Sequence, residues 1–332
     1  MKLVTYIDDS GRARAGALIA QGQSIVDLAG LDTTVNGAAD GAFSSVLTMI
    51  EGGQPVLDRA YRLLETTHDD YLVARDGTVL LAPVQPVPQM RDCLCFEKHL
   101  VQAFAAARQV RASTADDPAA ALAEMERTGE LRVPATFYEQ PIYYKANRFA
   151  VTGTDHDVTW PRYSQLMDFE LEFGVYINST CVDVPKARAR DVIYGYTILN
   201  DFSARDAQTA EMGGQLGPAK GKDFDRANPM GPCLVTADEM PDPYDLTMIA
   251  RVNGEEWGRG NSGTMHWSFE DVIAHISRSE TLYPGEFLGS GTVGNGCGLE
   301  HMRFLKHGDT VELEVEGIGV LRNRVLAPHL VG

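Results

Sequence analysis

The first part of the chain alternates short apolar runs with Gly and Asp, and these runs lie at residues 2–6, 17–19, 24–28 and 78–81. Such runs predict short β-strands. Residues 42–64 instead show helical spacing, with a break at residues 51–53. Residues 82–88 contain three prolines, and each proline favours extended backbone in the residue before it, which is typical of a linker. We therefore predict a small β-rich N-terminal domain over residues 1–82 and a second domain over residues 83–332.

The second part begins with an Ala-rich helical pattern at residues 98–127, interrupted at residues 113–117. There Asp116 and Asp117 can cap a helix whose first turn holds Pro118. Further on, strand-like runs lie at 149–152, 170–177, 194–199, 233–236, 248–253 and 310–315, and helix-like patterns at 185–193 and 269–276. Few helices and many short strands predict an α+β, mainly β fold and argue against a doubly wound parallel sheet.

Composition limits the possible partners of the chain. Its 332 residues carry 46 acidic and 29 basic side chains, a net charge of −17, which argues against binding to nucleic acid or to an anionic membrane surface. No apolar run is long enough to span a bilayer, and no secretory signal is visible at the start. Five scattered cysteines, an odd number, favour reduced thiols. We expect a cytoplasmic protein, and the excess of carboxylates is compatible with a bound cation.

An acidic pattern at residues 166–177 is the most informative feature of the chain. In an extended strand, Glu170 and Glu172 point to one face roughly 6–7 Å apart, and Asp168 shares that face. Buried like charges on one face require a counter-cation. The alternative is a solvent-facing acidic strip, because exposed acidic residues are common.

Two polar clusters follow. In residues 200–208, Asn200 and Asp201 end a hydrophobic run; the alternative is a helix N-cap with a local pair of Arg205 and Asp206. Residues 217–225 resemble a phosphate loop, but the spacing fails and an Asp stands where Ser or Thr would bind magnesium. Their glycines bring the Lys222 amine close to a site, or else leave it as a solvated lysine.

A glycine-rich segment and a Cys-His segment complete the candidates. Residues 289–300 begin with Gly-x-Gly-x-x-Gly, but glycines recur too far for a helix to begin, so a backbone-lined loop near a ligand is preferred over a Rossmann turn or a plain flexible turn. Cys93 and Cys95 have no second pair at zinc spacing, which favours core positions. A lone histidine such as His99 is usually structural or exposed.

Taken together, the motifs resemble one family. They are Glu-x-Glu within 168–173, Asn-Asp-Phe-Ser-Ala-Arg-Asp-x-Gln at 200–208, Leu-Gly-Pro followed by Gly-Lys-x-Phe at 216–224, and Gly-Thr-Val-Gly-Asn-Gly at 291–296. In this order they resemble the fumarylacetoacetate hydrolase superfamily over nearly the whole chain, most closely from residue 91 to residue 326. The resemblance implies a mixed β-roll catalytic domain after a small N-terminal β domain. It also implies a homodimer.

The resemblance implies a divalent cation and a catalytic pair. Glu170, Glu172 and Asp201 correspond to ligands, and Asp92 corresponds to a fourth ligand in fumarylacetoacetases, whereas many bacterial relatives rely on three. Carboxylate oxygens with no nearby His or Cys pair favour Mg²⁺, Mn²⁺ or Ca²⁺.

His99 corresponds to the general base of that family and Glu300 to its orienting partner. Lys222 and Gln208 correspond to groups that bind the enolate or the substrate carbonyls. Thr292, eight residues before Glu300, is assigned to substrate binding.

Further substrate contacts follow from the same resemblance. Arg108 corresponds to an arginine that binds the substrate carboxylate, and Tyr144 to an active-site tyrosine. Two other tyrosines of fumarylacetoacetases are replaced here by Leu94 and Met212, which suggests a more apolar or differently shaped substrate. The helical segment at about residues 98–136 resembles a lid. Within it, we expect residues 113–136 to control access of the substrate to the site.

The resemblance therefore implies a hydrolase that cleaves a C–C bond in a 1,3-diketone or acylpyruvate, a small keto-acid or diketone substrate, through a metal-stabilised enolate. The same site could serve a 2-oxo acid decarboxylase of the oxaloacetate type, or a 2-oxo-enoate hydratase or isomerase. A small-acid sensor without catalysis is a third possibility. The pair of His99 and Glu300 favours hydrolysis, because activation of water requires a base.

Overall fold

The computed structural model describes residues 1–37, 40–66, 69–113 and 115–331. The strands are β1 (Lys2–Ile7), β2 (Ala13–Ile19), β3 (Ser24–Asp27), β4 (Leu72–Ala74), β5 (Leu80–Leu81), β6 (Met90–Cys93), β7 (Tyr143–Lys145), β8 (Val151–Thr152), β9 (Asp157–Thr159), β10 (Met167–Asp168), β11 (Leu171–Ile177), β12 (Ile193–Asn200), β13 (Ser203–Ala204), β14 (Asn228–Thr236), β15 (Thr247–Val252), β16 (Glu255–Asn261), β17 (Phe287–Gly289), β18 (Thr310–Val315) and β19 (Gly319–Leu326).

The α-helices are α1 (Leu28–Asn36), α2 (Val46–Leu64), α3 (Glu97–Ala112), α4 (Pro118–Thr128), α5 (Thr136–Glu139), α6 (Arg205–Met212), α7 (Ala219–Lys222) and α8 (Phe269–Ile276). Short 3₁₀ helices lie at Ala20–Gly22, Asp69–Tyr71, Arg148–Ala150, Lys186–Val192, Ala237–Glu239, Ser262–Thr264, Leu299–His301 and Pro328–Leu330. Among the described residues, no helix combines the length and the apolar character that crossing a bilayer requires.

One large sheet organises the fold. Its strands follow the order β4-β3-β2-β1-β14-β12-β11-β17-β6-β7, and β5 and β8 pair with β1 and β14 at its side. Neighbouring strands along this order are antiparallel except for β17 and β6. The N-terminal strand β1 pairs directly with β14, so the strands of residues 1–82 extend the sheet that carries the later strands.

A second sheet, in the order β16-β15-β18-β19-β9, and the two-stranded β10–β13 pair complete the β structure. The mixture of mostly antiparallel sheets with separate helices confirms the α+β prediction and excludes a doubly wound parallel sheet.

The core lies on both faces of the large sheet. On β11, Phe173 and Val175 belong to one buried apolar cluster, while Tyr176 belongs to the other. Side chains alternate across a strand, so Glu172 points to the same face as Tyr176. Phe173 packs edge-on against Phe269 of α8, with ring centroids 5.0 Å apart. The central strands are therefore covered on both sides, which buries any polar side chain they carry.

Most of the helices predicted from the sequence are found at the predicted positions in the structure. Asp117 caps α4 by accepting a hydrogen bond from the N–H of Ala120, and Pro118 occupies its first turn, as the sequence indicates. The break predicted at residues 51–53 is visible inside α2, where Gly53 has a φ of +60°. The helix-like pattern at 185–193 forms a 3₁₀ helix instead of an α-helix.

The acidic pattern differs from its prediction at one point. Residues 166–177 do not form one continuous strand: β10 ends at Asp168, Glu170 forms an isolated bridge with Cys297, and β11 starts at Leu171. Asp168 therefore leaves the face it was predicted to share with Glu172. The solvent-facing strip is also ruled out, because both acids are fully buried.

Candidate active site

Three carboxylates meet where neighbouring strands of the large sheet end. Asp92 lies on β6, Glu172 lies on β11, and Asp201 directly follows β12. These strands are close neighbours in the order β12-β11-β17-β6. One carboxylate oxygen from each residue lies within 4.8 Å of the other two, and all three residues are buried. We call Asp92, Glu172 and Asp201 the carboxylate cluster.

A glycine makes room for this cluster. Gly289 on β17 pairs with Asp92 on one side and lies next to β11 on the other. A Cβ at this position would lie 2.6 Å from Oδ1 of Asp92 and 3.4 Å from Oε2 of Glu172. Any side chain here would therefore push into the carboxylates, and glycine keeps the space between them open.

The electrostatics of the carboxylate cluster show an excess of negative charge. Burial, opposed in part by a hydrogen bond with Glu172 and the charge of Lys222, raises the pKa of Asp92 to about 6. Burial also raises the pKa of Asp201 to about 7, against the influence of Lys222. Burial and then the charges of Asp92 and Asp201 raise the pKa of Glu172 well above its ordinary value. The three acids therefore resist sharing this space as anions.

The donor atoms of the cluster fit a hard divalent cation. Oε2 of Glu172 and Oδ1 of Asp201 are buried and accept no hydrogen bond. Unpartnered buried carboxylate oxygens are costly unless something positive binds them. An all-oxygen ligand set is the type that Mg²⁺, Mn²⁺ and Ca²⁺ prefer. Asp92, Glu172 and Asp201 would hold such an ion.

Glu170 lies beside the cluster and contacts two cations. Its Oε2 accepts a hydrogen bond from Nζ of Lys222 at 2.6 Å, and its Oε1 lies 2.8 Å from Nη2 of Arg205. Burial would raise the pKa of Glu170, but Lys222 and Arg205 outweigh it and lower that pKa. The structure thus brings Asp92 into the close group and turns Glu170 toward basic side chains.

Lys222 joins Glu170 to the carboxylate cluster. Its Nζ also donates to Oδ2 of Asp201 at 2.5 Å, and the side chain is 4% exposed. Burial would lower the pKa of Lys222, but the charges of Asp201 and Glu170 outweigh it and raise the pKa. Lys222 is therefore a fixed ammonium with three N–H donors, two of which these carboxylates use. The alternative of a solvated loop lysine is excluded.

Gln208 lies close to this lysine. A Cβ on Gly221 would lie 2.6 Å from Cβ of Gln208, so the glycine lets α7 approach α6. The side-chain oxygen of Gln208 accepts a hydrogen bond from Nη1 of Arg205 at 2.9 Å. Its oxygen is therefore already engaged by a side chain of this region.

A histidine and a glutamate form a pair next to the carboxylates. Nδ1 of His99, in the first turn of α3, lies 2.9 Å from Oε1 of Glu300, and His99 is buried. Oε2 of Glu300 accepts a hydrogen bond from the backbone N–H of Cys297 at 3.2 Å. Because Cys297 also bridges to Glu170, this pair adjoins the group described above. We call His99 and Glu300 the dyad.

The remaining predicted residues divide into two groups. The O–H of Tyr144 donates to Oδ2 of Asp201 at 2.8 Å, and Oγ1 of Thr292 lies 3.4 Å from Oε1 of Glu172. Arg108 instead donates to the carbonyl of Leu131 at 2.5 Å. It follows His99 by nine residues, about 13 Å along the helix axis. The structure therefore gathers Tyr144 and Thr292 at the site and ties Arg108 to the segment after α4.

The sequence analysis missed the partner of Arg205. Asp206, its suggested partner, binds Ser164 and the backbone N–H of Gln165. Arg205 pairs with Asp168, which is 37 residues away in sequence. The acidic residue two places before the Glu-x-Glu pattern is the one signal that could have indicated a buried counterion.

The sequence of the chain is similar to those of known proteins. Residues 113–326 match the family described as fumarylacetoacetate (FAA) hydrolase C-terminal. A relative from Burkholderia ambifaria and one from Burkholderia lata, both named provisionally as hydrolases, are 39% and 40% identical over 183 residues. These matches cover 54% of this chain and 64% of each relative, so they span less than two thirds of the relatives' length.

Solved structures share the fold along nearly the whole chain. A fumarylacetoacetate hydrolase from Exiguobacterium antarcticum aligns with a TM-score of 0.71 at 24% identity, covering 98% of this chain and 100% of that one. A maleylpyruvate hydrolase from Sphingobium aligns with a TM-score of 0.69 at 19% identity, with 98% and 100% covered. A probable 2-hydroxyhepta-2,4-diene-1,7-dioate isomerase from Mycobacterium abscessus aligns with a TM-score of 0.70 at 22% identity, with 98% and 99% covered.

At these identities the structural likeness shows the fold alone, whereas the family match spans more than half of the chain. The motifs that carry the resemblance contribute Glu172 and Asp201 of the carboxylate cluster, Lys222 and the glycine-rich loop, whereas Asp92 lies outside them. The chain belongs to the fumarylacetoacetate hydrolase family of enzymes.

Proposed function

We propose that this chain is a divalent-metal-dependent hydrolase that cleaves a C–C bond in a 1,3-diketone or acylpyruvate. The observation that carries the proposal is the dyad, in which His99 is buried and held by Glu300, which binds Cys297, the bridge partner of Glu170. A histidine that is oriented by a carboxylate can act as the general base that activates water. A site that only bound an acid would not require it.

The contact between His99 and Glu300 favours one nitrogen of His99 as the reacting atom. Nδ1 faces Glu300, so Nε2 is the atom that takes up a proton. Both oxygens of Glu300 are engaged, one by His99 and the other by the N–H of Cys297, which fixes the ring orientation. A divalent cation at the carboxylate cluster supplies Lewis-acid polarisation of the substrate carbonyls when it is bound.

In the proposed reaction, His99 activates water and Lys222 holds the enolate. Nε2 of His99 removes a proton from water while the water oxygen bonds to a substrate carbonyl carbon. The C–C bond then breaks, its electron pair stays on the leaving carbon as an enolate, and the imidazolium returns its proton to that fragment. Lys222 donates its third N–H to the enolate oxygen, since its other two serve Glu170 and Asp201. The products are a carboxylic acid and a ketone or keto acid.

The second candidate is isomerisation of a 2-oxo-enoate or decarboxylation of a 2-oxo acid at the same site. The likeness of the fold to proteins named as isomerases favours retaining it. Both reactions pass through an enolate that Lys222 could hold, and decarboxylation needs no base for water.

Product analysis separates these reactions. The protein is incubated with acetylpyruvate, a longer acylpyruvate and oxaloacetate, each with Mg²⁺ and with a chelator, and products are identified by NMR. We expect acetate and pyruvate from acetylpyruvate in the presence of Mg²⁺. Release of CO₂ from oxaloacetate without cleavage of either acylpyruvate would contradict the hydrolase.

A variant of the base completes the test. His99→Gln should lower kcat on acetylpyruvate by about 10²–10⁴-fold, the usual contribution of a general base. The matched control is His301→Gln, which changes an exposed histidine next to Glu300 and should retain turnover. Full turnover by His99→Gln would contradict the role of the dyad.

A further inference from the structure

Asp168 is the most completely bonded acid of the region, and the proposed reaction does not use it. Its side chain is 0% exposed. Oδ1 accepts hydrogen bonds from the N–H groups of Phe169 and Gly298, at 2.9 and 2.8 Å. Oδ2 accepts from the N–H of Leu299 at 3.0 Å and from Nε of Arg205 at 2.8 Å. All four groups donate to Asp168 and so favour its anionic form, while burial raises its pKa against the charge of Arg205.

Through Arg205, Asp168 reaches the carboxylates. Nη2 of Arg205 lies 2.7 Å from Oδ2 of Asp168 and 2.8 Å from Oε1 of Glu170, while Nη1 donates to Gln208 at 2.9 Å. The guanidinium is planar and rigid, so its position is set by the acid that it meets with both Nε and Nη2. Asp168 therefore orients the cation that holds Glu170.

Through the backbone, Asp168 reaches the dyad. Gly298 and Leu299 lead directly into the 3₁₀ turn Leu299–His301 that carries Glu300. A Cβ at Gly298 would lie 2.7 Å from Oδ1 of Asp168 and 2.0 Å from the carbonyl oxygen of Arg303. Glycine at this position thus permits the close approach of the turn to the acid.

We propose that Asp168 is a positioning residue that fixes the Glu300 turn relative to Glu170 and Lys222, and so holds the dyad in register with the site of the enolate. Its effect on turnover rests on the proposed function. Its effect on the contact between His99 and Glu300 does not, because that contact is present without substrate.

Asparagine is the informative replacement because it keeps the shape and removes the charge. Each oxygen of Asp168 meets at least two N–H donors. An amide nitrogen at either position would place a donor against donors, so one set of contacts must break. If the contacts with the backbone break, the turn at Gly298 and Leu299 is released. If the contact with Arg205 breaks, the guanidinium turns away from Glu170.

The test uses two measurements on the full chain. The first is the ring ¹⁵N and Nδ1–H NMR signal of His99, assigned by its loss in His99→Gln. We expect Asp168→Asn to lose the hydrogen-bonded Nδ1–H signal. The second is turnover of acetylpyruvate, for which we expect kcat to fall about 10–100-fold and KM to change less. Losses of this size are usual for residues that orient a functional side chain through hydrogen bonds.

Asp206→Asn is the matched control. Asp206 is also an aspartate bonded to backbone N–H groups, and it follows Arg205 on α6, but its carboxylate binds Ser164, Gln165 and Ala207. It should retain both the signal and kcat. If Asp168→Asn does not fold, Gly298→Ala displaces the turn while Asp168 and Arg205 stay, and the same losses are expected.

The outcomes separate the two proposals. Persistence of the Nδ1–H signal in a folded Asp168→Asn or Gly298→Ala protein would overturn the positioning role. Loss of the signal in these variants, together with an unsubstituted protein that cleaves no diketone, would support the positioning role and contradict the hydrolase. Equal loss in Asp206→Asn would show a general loosening and would also overturn the positioning role.

Discussion

Two sets of buried acids lie side by side in this protein and are compensated differently. Asp168 and Glu170 each face a guanidinium, and Glu170 also faces an ammonium. In the carboxylate cluster, Asp201 shares the ammonium of Lys222, whereas Asp92 and Glu172 form no ion pair with the side chains that the structure describes. Burial raises the pKa of Asp168 as it raises those of Asp92 and Glu172, so the two sets differ in their ion pairs. The depth of burial is the same in both sets, so burial alone does not explain the contrast.

The contrast indicates where a positive charge from outside the chain would bind. Burying an unpaired carboxylate costs several kcal/mol, and a protein normally supplies a cation of its own. Arg205 does so for Asp168, and Lys222 does so for Glu170. Gly289 keeps the space between Asp92 and Glu172 open where a side chain could have filled it. An external divalent ion is the simplest occupant of that space.

The largest expected effect comes from removing the ammonium that joins the two sets. Lys222→Met leaves the ion pairs with Glu170 and Asp201 broken at a fully buried place. Loss of one partner of a buried pair costs about 3–5 kcal/mol of unfolding free energy. Because Lys222 is also the proposed donor to the enolate, kcat should fall about 10²–10³-fold. Urea unfolding and acetylpyruvate turnover measure the two effects.

Lys220→Met is the control for that change. Lys220 lies two residues earlier on α7 and is exposed. Its structural contact to Glu211 is made by its backbone N–H, which the substitution keeps. A loss of stability in this variant as large as in Lys222→Met would show that α7, and not the buried ammonium, is responsible.

The second prediction concerns pH and metal together. In the metal-free protein, Asp92 and Asp201 titrate near pH 6 and 7, whereas their ordinary value is 3.8. The folded state then holds protons that the unfolded chain has released, so unfolding free energy should fall as pH rises from about 4 to about 7. Bound Mg²⁺ keeps these acids deprotonated, so it should remove this part of the slope and bind more tightly as pH rises.

Urea unfolding at several pH values, with EDTA and with saturating Mg²⁺, tests this prediction. The difference between the two series isolates the carboxylate cluster, because the other titrating groups contribute to both. Ligand at one hundred times its Kd adds about 2.7 kcal/mol. Parallel curves with and without Mg²⁺ would contradict the assignment of the cation to these three acids.

Much of this arrangement could be predicted from the sequence. The strands at 170–177 and 194–199 and the turn after them are visible in local patterns, and they place Glu172 and Asp201. The family motifs add Lys222 and the glycine-rich loop. Local patterns succeed here because strands that pair as neighbours carry the acids at matching ends.

Other features could not be predicted, because they depend on contacts between distant segments. Arg205 is next to Asp206 in the chain, yet it turns to Asp168 across the β10–β13 pair. The bridge of Glu170 to Cys297 interrupts a strand whose alternation looks continuous in the sequence. Arg108 lies on α3, and its side chain donates to the backbone carbonyl of Leu131. No fixed sequence spacing relates these residues to their partners, so a local pattern does not indicate them.

The smallest expected effect distinguishes the two sets by its sign. Glu172→Gln removes one charge from the carboxylate cluster, where that charge is repelled and its pKa is raised by burial and by Asp92 and Asp201. Metal-free unfolding free energy should therefore stay the same or rise by no more than about 1 kcal/mol, while the gain from Mg²⁺ should be lost. Glu286→Gln is the matched variant, because Glu286 is a buried glutamate directly before β17 that pairs with Arg91. Removing its charge leaves a buried guanidinium with a weaker partner, and unfolding free energy should fall with or without Mg²⁺. Equal destabilisation of both variants in EDTA would mean that Glu172 is already compensated from within the chain, and the case for an external cation at Gly289 would then fail.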